Sequence, residues 1–299
     1  MSYAYFNKKE GILMGKKLLV FQSDFGLSDG AVSAMYGVSY SVDPTLTVSN
    51  LTHHIPQFNI WEGSYRLLQT VQYWPEGTVF VSIVDPGVGS DRTALVVKTV
   101  GGQYIVTPNN GTLTHLKNYY GIEEARVINE EEHRLPNSGE SHTFHGRDIF
   151  AYTGAKLASG VITYEQVGPI FNIEHITELS LTESKLQGEV VIGTIDIVDK
   201  PFGNLWTNIS REQFKKIASA YGDQFELSIM TDGRNVYKNI VTYGRSFADL
   251  HVGEPLVYVN SLDNLGVAIN QGSFADAYRI GSGTNWEVTI RKAPKIVYS

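Results

Sequence analysis

The 299-residue sequence contains no cysteine. A disulfide framework, a cysteine-ligated zinc site and a thiol nucleophile are therefore excluded. The chain also lacks an excess of positive charge, because 24 Lys and Arg residues stand against 31 Asp and Glu residues, for a formal net charge of -7. This balance does not provide the basic footprint of a general nucleic-acid binder, and we expect no nucleic-acid partner.

Long apolar runs are missing as well. No segment approaches the ~20 apolar residues that a membrane span needs, and residues 1–17 lack the apolar centre of a signal peptide. We therefore expect no membrane association and a cytoplasmic location. The first fifteen or so residues are expected to be an irregular lead-in, in which Met14 is a candidate alternative start.

Apolar and aromatic residues are plentiful, with 42% hydrophobic residues, 17 Tyr, 13 Phe and 4 Trp. This is enough for a large packed core, and the length predicts about two domains at ~150 residues each. In the first half, short apolar segments alternate with helical patterns, which predicts an α/β domain with a mostly parallel, buried sheet. The predicted strands are 18–21, 47–51, 79–84, 95–97 and 104–106, and the predicted helices are 30–42, 59–73, 110–119 and 147–159.

The second half is dominated by strand patterns separated by Gly, Asn and Asp turns, with a single helical pattern at residues 211–220. This arrangement predicts an all-β domain, an antiparallel barrel or sandwich. A polar stretch at residues 179–187 marks the boundary, so we predict an α/β domain over residues 15–182 and a smaller barrel-like domain over residues 187–299. The predicted strands are 188–199, 225–230, 235–241, 255–259, 266–269 and 287–290.

Short polar motifs follow or flank the predicted strands of the first half. Each one alone is ordinary turn or capping chemistry, but ligands bind beyond the carboxyl ends of parallel strands, so their convergence indicates a site. The motifs are Ser23-Asp24-Phe25-Gly26, His53-His54, Asp85-Pro86-Gly87-Val88-Gly89, Pro108-Asn109-Asn110-Gly111 and Phe144-His145-Gly146-Arg147-Asp148.

In the second half, Asp199-Lys200-Pro201-Phe202-Gly203-Asn204 is either a plain hairpin turn or an aromatic face beside polar groups. The second interpretation suits a flat heterocycle with polar edges. Together with Arg92, five of these six motifs, all except His53-His54, have the order and spacing of one family. The chain resembles, over residues 17–290, the S-adenosyl-L-methionine (SAM) hydrolase (adenosine-forming) family, also called SAM hydroxide adenosyltransferases, which are relatives of the fluorinase and chlorinase.

The resemblance implies an N-terminal α/β domain, a C-terminal β-barrel and a homotrimer. SAM would lie between the N-terminal domain of one subunit and the C-terminal domain of its neighbour. The expected products are adenosine and L-methionine. No cofactor and no metal are expected, because SAM is itself the substrate.

The resemblance also implies substrate-binding residues in the first half. Asp24 resembles the carboxylate that holds the two ribose hydroxyls, a charge-assisted contact well suited to a diol. Phe58 stands where halogenating relatives place a tryptophan against the ligand. Asn110, Phe144 and Gly146 complete the expected substrate contacts of this half.

In the second half, Phe202 and Phe247 resemble the walls that stack on adenine, and Asn204 resembles the residue that reads the adenine edge. Asp199 and Ser261 resemble contacts to the amino and carboxylate groups of methionine. The residue after Ser261 is a leucine where the halogenases have an arginine. We therefore expect the methionine end to be held differently.

The expected catalytic set is Asp85, Arg92 and His145, which resembles the triad linked to water activation in the hydrolases. The sulfonium of SAM is already a good leaving group, so the reaction needs only a nucleophile held in line with the 5′-carbon in a dry pocket. A water oriented by a carboxylate and an imidazole meets that need. Arg92 would keep the Asp85 carboxylate ionised and in place.

A halide adenosyltransferase is the nearest alternative, because it would use the same pocket with chloride or fluoride as the nucleophile. Asp85 speaks against it, since a carboxylate repels a halide where the halogenases have an uncharged residue. Gly146 lacks the hydroxyl that the fluorinase offers to fluoride, and residues 100–104 form a tight turn in place of a long insertion.

Two further classes remain open on the residues alone. A metal-dependent hydrolase could use Asp24, His53, His54, Asp85 and His145, which are all metal-ligand types. Adjacent histidines on a strand-like segment, however, point to opposite faces and cannot easily share one ion. A non-catalytic SAM- or adenosine-binding module would need the pocket without the water-activating set, which is present in this sequence.

Overall fold

The computed structural model describes residues 18–140 and 142–294. The expected N-terminal lead-in, including Met14, lies outside these described residues. The chain divides into two compact units, and the division falls between Leu179 and Ser180. Among the described residues, no helix is both long and apolar enough to cross a membrane.

Within the described part of the chain, the N-terminal unit is built on a seven-stranded sheet. The strands are β1 (Leu18–Ser23), β2 (Thr47–Thr52), β3 (Val79–Ile83), β4 (Ala94–Thr99), β5 (Tyr104–Pro108), β6 (Ile122–Val127) and β7 (Ile170–Phe171). Their order across the sheet is β2-β1-β3-β5-β4-β6-β7. Strands β2, β1, β3 and β5 are parallel, whereas β4, β6 and β7 each pair antiparallel to the preceding strand in that order. The predicted mostly parallel sheet is confirmed, because only β4 and β7 oppose the other described strands.

Helices cover both faces of this sheet. Met35 and Ala155 belong to the core on one face, and Leu67 and Leu116 belong to the core on the other. Every residue of β3 is buried, as a strand covered on both sides requires. A π-helical turn at Gly146–Ala151 leads directly into the last helix. The helices are α1 (Ala31–Val42), α2 (Ile60–Val71), α3 (Thr114–Tyr119), α4 (Glu130–His133) and α5 (Tyr152–Ser159).

The C-terminal unit is a closed β-barrel. Its strands are β8 (Lys185–Gln187), β9 (Val190–Asp199), β10 (Asn204–Ser210), β11 (Gln224–Thr231), β12 (Arg234–Tyr243), β13 (Pro255–Val259), β14 (Asn264–Ile269) and β15 (Gly283–Lys292), with short helices α6 (Arg211–Lys215) and α7 (Phe274–Tyr278). In the described residues, seven strands close in the order β9-β10-β14-β13-β12-β11-β15, and β8 pairs with β9 outside the ring. The structure therefore selects the barrel over the sandwich.

Alternation along the strands fills the barrel. Phe225, Leu227 and Ile229 are fully buried on β11, while the residues between them are more exposed. This period of two places every second side chain inside the barrel. The interior is a single cluster of apolar side chains from strands on all sides of the ring.

Two helices are shorter in the structure than the sequence pattern predicted. The helix predicted from Asn110 begins only at Thr114, because the Asn110 Oδ1 atom accepts hydrogen bonds from Thr112 and Gly111 has a φ of 108°. Both features belong to a turn, since a left-handed φ cannot continue an α-helix.

The helix predicted over residues 211–220 ends at Lys215. The Asp223 Oδ2 atom accepts hydrogen bonds from the backbone N–H groups of Ser219 and Ala220, which draws this segment into a turn. The prediction of a single helix in this half was also wrong, because α7 follows Ser273, whose side chain accepts from Asp276 N–H. Strands β6, β7, β8 and β10 were not predicted from the sequence.

Candidate active site

Four predicted site residues lie at one edge of the N-terminal sheet. Asp24 follows β1, Asp85 comes two residues after β3, and Asn110 comes two residues after β5. These strands are parallel, so their carboxyl ends share an edge. Arg92 precedes β4, which runs in the opposite direction and therefore begins at that same edge. The antiparallel direction of β4 therefore brings Arg92 to the Asp85 carboxylate.

Asp85, Arg92 and His145 form a continuous buried network. The Arg92 Nε atom donates to both carboxylate oxygens of Asp85, at 2.7 and 2.8 Å, and Nη2 donates to Oδ2 as well. Nη2 also lies 3.2 Å from Nδ1 of His145. The side chains of Arg92 and Asp85 are only 9% and 5% exposed, and the guanidinium lies over the ring of Phe150, 5.1 Å from its centroid.

The tautomer of His145 follows from this contact. A guanidinium offers only donors, so Nδ1 must accept and the neutral imidazole carries its proton on Nε2. Burial lowers the pKa of His145, and the positive charge of Arg92 lowers it further. Nε2 is buried and has no hydrogen-bond partner among the described residues. His145 is therefore a neutral ring with a spare N–H donor.

An apolar cleft of ≈260 Å³ opens beside Asp85. Asp85 is the one charged side chain among the described residues that line it, so a carboxylate stands against an otherwise largely apolar surface. Phe144 and Gly146, both predicted as substrate contacts, line this cleft at the start of the π-helical turn. The lining residues are Phe25, Ala31, Ile83, Asp85, Val88, Thr143, Phe144 and Gly146.

Asp24 and Phe58 lie together in the structure. The Asp24 Oδ2 atom accepts a 2.8 Å hydrogen bond from the backbone N–H of Phe58. Phe58 has a φ of 65°, in the left-handed region that a non-glycine residue rarely adopts, and its side chain is 66% exposed. Among the described residues, Asp24 Oδ1 makes no hydrogen bond, which leaves it able to accept one from a ligand hydroxyl.

Asn110 is engaged by the protein through both ends of its amide. Nδ2 donates to the carbonyl of Val84 at 2.8 Å, and Oδ1 accepts from the Thr112 hydroxyl at 2.7 Å. The bond from Nδ2 to Val84 connects the loop after β5 to the residue that precedes Asp85. The role of Asn110 in substrate binding stays a prediction, whereas its contact with the loop that carries Asp85 is a feature of the structure.

His53 supports the loop that carries Asp24, a role that the sequence does not indicate. Its Nδ1 lies 2.7 Å from the Ser23 hydroxyl and its Nε2 lies 2.8 Å from Oδ1 of Asn50. Its carbonyl accepts from the N–H of Gly26 at 2.8 Å. His53 is 2% exposed, while the adjacent His54 is exposed, so the two rings do not share an environment.

The buried His53 predicts a dependence of stability on pH. Burial and then the charge of His54 lower the pKa of His53 from 6.5 to about 4. The unfolded chain therefore binds a proton more readily, and the free energy of unfolding should fall as the pH is lowered from about 6.5 to 4, by at most about 1.4 kcal/mol per pH unit from this group. Urea unfolding of the wild type and of His53→Gln across this range measures the slope.

The His53→Gln variant should show a shallower slope than the wild type. It keeps the contribution of His115, whose pKa burial also lowers to about 4, so the slope does not vanish. Equal slopes in the two proteins would show that His53 does not titrate with unfolding in this range.

A separate groove of ≈930 Å³ lies in the C-terminal barrel. It begins at the hairpin between β9 and β10, where the backbone N–H groups of Phe202 and Gly203 donate to the carbonyl of Asp199 at 3.1 and 2.7 Å. Gly203 has a φ of 68°, and a Cβ there would lie 1.9 Å from Oγ of Ser273, so this turn requires glycine. The predicted residues of this half all line the groove, namely Asp199, Phe202, Asn204, Phe247 and Ser261.

The groove has aromatic walls and a polar floor. Phe202 is 67% exposed, whereas Asn204 is 5% exposed. The Phe247 ring packs against Tyr258 at 5.0 Å between centroids, and the Trp206 Nε1 atom donates to the Tyr258 hydroxyl at 3.1 Å. Trp206 and Tyr258 line the groove but were not predicted. A hairpin at residues 199–204 implies a strand that begins at Asn204. Because side chains two positions apart on a strand point to the same side, Trp206 would have been expected on the same face as Asn204.

Known proteins resemble this chain over most of its length. The (R)-S-adenosyl-L-methionine hydrolase of Thermus thermophilus is 34% identical, over 88% of this chain and 96% of the relative. The fluorinase of an Actinoplanes species is 30% identical, over 93% and 99%. The crystal structure of an uncharacterized conserved protein from Thermotoga maritima matches with a TM-score of 0.82 and 32% identity, covering 92% of this chain and 100% of that chain.

Family models account for both units. The model of the SAM hydroxide adenosyltransferase N-terminal domain matches residues 19–168, and the model of the C-terminal domain of the same family matches residues 193–287. Together they cover well over half of the sequence, in the expected order. The chain belongs to the SAM hydroxide adenosyltransferase family.

Proposed function

We propose that the protein hydrolyses SAM to adenosine and L-methionine by attack of water on the ribose 5′-carbon. The observation that carries this proposal is the buried Asp85–Arg92–His145 network, with Asp85 lining an otherwise largely apolar cleft. A positioned carboxylate in a cleft of this kind can orient and deprotonate a water. Relatives that are 33% and 34% identical to this chain are named (R)-S-adenosyl-L-methionine hydrolase.

In the proposed reaction, a water oxygen forms a bond to C5′ while the C5′–S bond breaks and its electron pair goes to sulfur, giving neutral methionine. The water proton passes to the Asp85 carboxylate. Arg92 holds that carboxylate through its Nε and Nη2 donors. His145 is not suited to accept the proton, because Nδ1 is occupied by Arg92 and the buried Nε2 already carries a proton; His145 would instead hold the Arg92 guanidinium in place through Nδ1.

The C-terminal groove would hold the remainder of the substrate. Phe202 and Phe247 would stack on adenine, with Asn204 at its polar edge. Asp199 and Ser261 would contact the methionine amino and carboxylate groups. We further propose that the protein acts as a homotrimer, in which the groove of one subunit serves the cleft of its neighbour and Asp24 holds the ribose.

Incubation of the protein with SAM, followed by chromatography, tests the reaction. We expect adenosine and methionine in equal amounts, and the same rate in the presence of EDTA, because no step of the mechanism uses a metal. Intact SAM after hours of incubation with demonstrated binding would favour a binding protein. Complete loss of activity in EDTA with recovery on adding a metal would contradict the mechanism.

A halide adenosyltransferase is the second candidate, since fluorinases match this chain over nearly its full length. Asp85 disfavours it, because a carboxylate in an apolar cleft repels an anionic nucleophile. Repeating the incubation with added chloride separates the two functions. A hydrolase yields adenosine as its only nucleoside product, whereas a chlorinase yields 5′-chloro-5′-deoxyadenosine.

Phe202→Ala should weaken SAM binding by about 1–3 kcal/mol, the usual range for a ring that stacks on a base. The exposed Phe202 ring stands at the groove mouth and supports no buried core, so the fold should be unaffected. Titration calorimetry with SAM measures the change. Tyr73→Ala, which removes an exposed ring that is not among the groove-lining residues, is the control; unchanged affinity in Phe202→Ala would remove Phe202 from the adenine wall.

A further inference from the structure

Phe25 and Gly146 meet inside the apolar cleft of the N-terminal unit. A Cβ atom built on Gly146 would lie 3.0 Å from Cζ and 3.2 Å from Cε2 of Phe25, and 3.5 Å from Cδ1 of Ile83. These three residues line the cleft together with Asp85. The Phe25 ring therefore lies directly against the space that a side chain at position 146 would enter.

The Phe25 ring is held in place from two sides. Its edge packs against Phe144, with ring centroids 6.0 Å apart and planes at 65°. Its backbone is fixed by the bond from its N–H to the Ser23 hydroxyl at 3.3 Å and by the following bond from Gly26 N–H to the His53 carbonyl. Moving the ring out of the cleft would therefore cost its contact with Phe144.

We propose that Phe25 is a specificity-determining residue that limits the size of the nucleophile admitted beside Asp85. This inference rests on the proposed hydrolysis of SAM. The Asp85 charge disfavours anions, but it does not distinguish water from a neutral alcohol. The Phe25 ring beside Gly146 can make that distinction. A packed apolar surface excludes one additional carbon sterically, whatever the charge of the nucleophile.

Methanol is the probe that isolates size from charge. In the competing reaction, the methanol oxygen bonds to C5′ as the C5′–S bond breaks, the electron pair leaves with sulfur to give methionine, and the hydroxyl proton passes to Asp85. The product is 5′-O-methyladenosine in place of adenosine. The ratio of the two products from one incubation reports the selectivity directly and does not depend on how tightly SAM binds.

The experiment measures this product ratio in aqueous methanol for the wild type, Phe25→Ala and Val88→Ala. We expect Phe25→Ala to raise the methyl ether fraction on the order of 10-fold. This is the usual loss of discrimination when an apolar pocket no longer excludes one additional carbon of the ligand. Val88→Ala is the matched control, since Val88 lines the same cleft but is not among the atoms nearest to a Cβ at position 146. An equal rise in both variants, or no rise in either, overturns the proposal.

A second pair of variants covers the case in which Phe25→Ala does not fold. Gly146→Ala forces the Phe25 ring to move by a few tenths of an ångström, so turnover should fall by about 10-fold. Adding Phe25→Leu in the double variant relieves the contact and should restore most of the turnover. If the double variant is as slow as Gly146→Ala, the contact with Phe25 does not control the site.

Failure of this inference differs from failure of the proposed function. If the wild type forms neither adenosine nor the methyl ether from SAM, the proposed reaction is wrong. If all variants hydrolyse SAM with the same product ratio, the reaction stands and Phe25 does not select the nucleophile.

Discussion

Asp85→Asn is expected to lower kcat by about 10²–10⁴-fold, the usual contribution of a positioned general base, while leaving SAM affinity nearly unchanged. The amide has almost the shape of the carboxylate and still offers one oxygen to Arg92, but it cannot take the proton of the attacking water. The measurement is kcat from initial rates of adenosine formation, together with the Kd for SAM from titration calorimetry on the same preparation.

The matched control is Asp91→Asn, which removes an exposed carboxylate from the same loop. It should leave kcat within about twofold, because general acid–base catalysis requires hydrogen-bond reach of the reacting atoms. Equal losses in kcat and in affinity for Asp85→Asn would instead indicate that Asp85 holds the shape of the site and takes no part in proton transfer.

Arg92→Met is expected to reduce the free energy of unfolding by about 3–5 kcal/mol, the usual consequence of leaving one member of a buried ion pair without its partner. The Asp85 side chain is only 5% exposed, and among the described residues the hydrogen bonds to its carboxylate come from this one guanidinium. The substitution also removes the cation from above the Phe150 ring. Urea denaturation followed by circular dichroism provides the measurement.

Two comparisons make the Arg92 result specific. The double variant Asp85→Asn/Arg92→Met removes the buried charge and should recover much of the lost stability. Arg211→Met breaks an ion pair with Asp263 in which both side chains are at least 35% exposed, and it should cost no more than about 1 kcal/mol. If Arg92→Met is no more destabilising than Arg211→Met, the buried pair does not contribute to stability as its burial suggests.

The fold was predictable where local patterns and burial agree. The segment Val79–Ile83 is entirely apolar apart from one serine and forms a strand buried along its whole length. The amphipathic pattern that begins at Asn59 forms α2, capped by the Asn59 side chain. In both cases the residues that decide the element lie within it, so no distant contact was needed to recognise it.

Prediction failed where distant or turn-forming residues decide the element. Strand β6 (Ile122–Val127) carries the charged residues Glu123, Glu124 and Arg126, which weaken its apolar pattern, and it forms because it pairs with β4. The helix was predicted from Asn110, but Asn-Gly is a turn signal and Gly111 adopts a left-handed φ. Strand pairing depends on neighbours that no local window contains, whereas the turn at Asn110 is formed by residues only two positions apart.

The sequence by itself determined which chemical groups are present and in what order. It has no cysteine, and it contains the carboxylates, imidazole and guanidinium of five ordered motifs, which were sufficient to indicate the family. Only the tertiary structure decided the states of these groups. Arg92 reaches His145 across 53 positions of the chain and sets its tautomer, and burial lowers the pKa of that ring. The physical reason is that hydrogen-bond direction and desolvation depend on which atoms surround a group, and folding brings those atoms from distant parts of the chain.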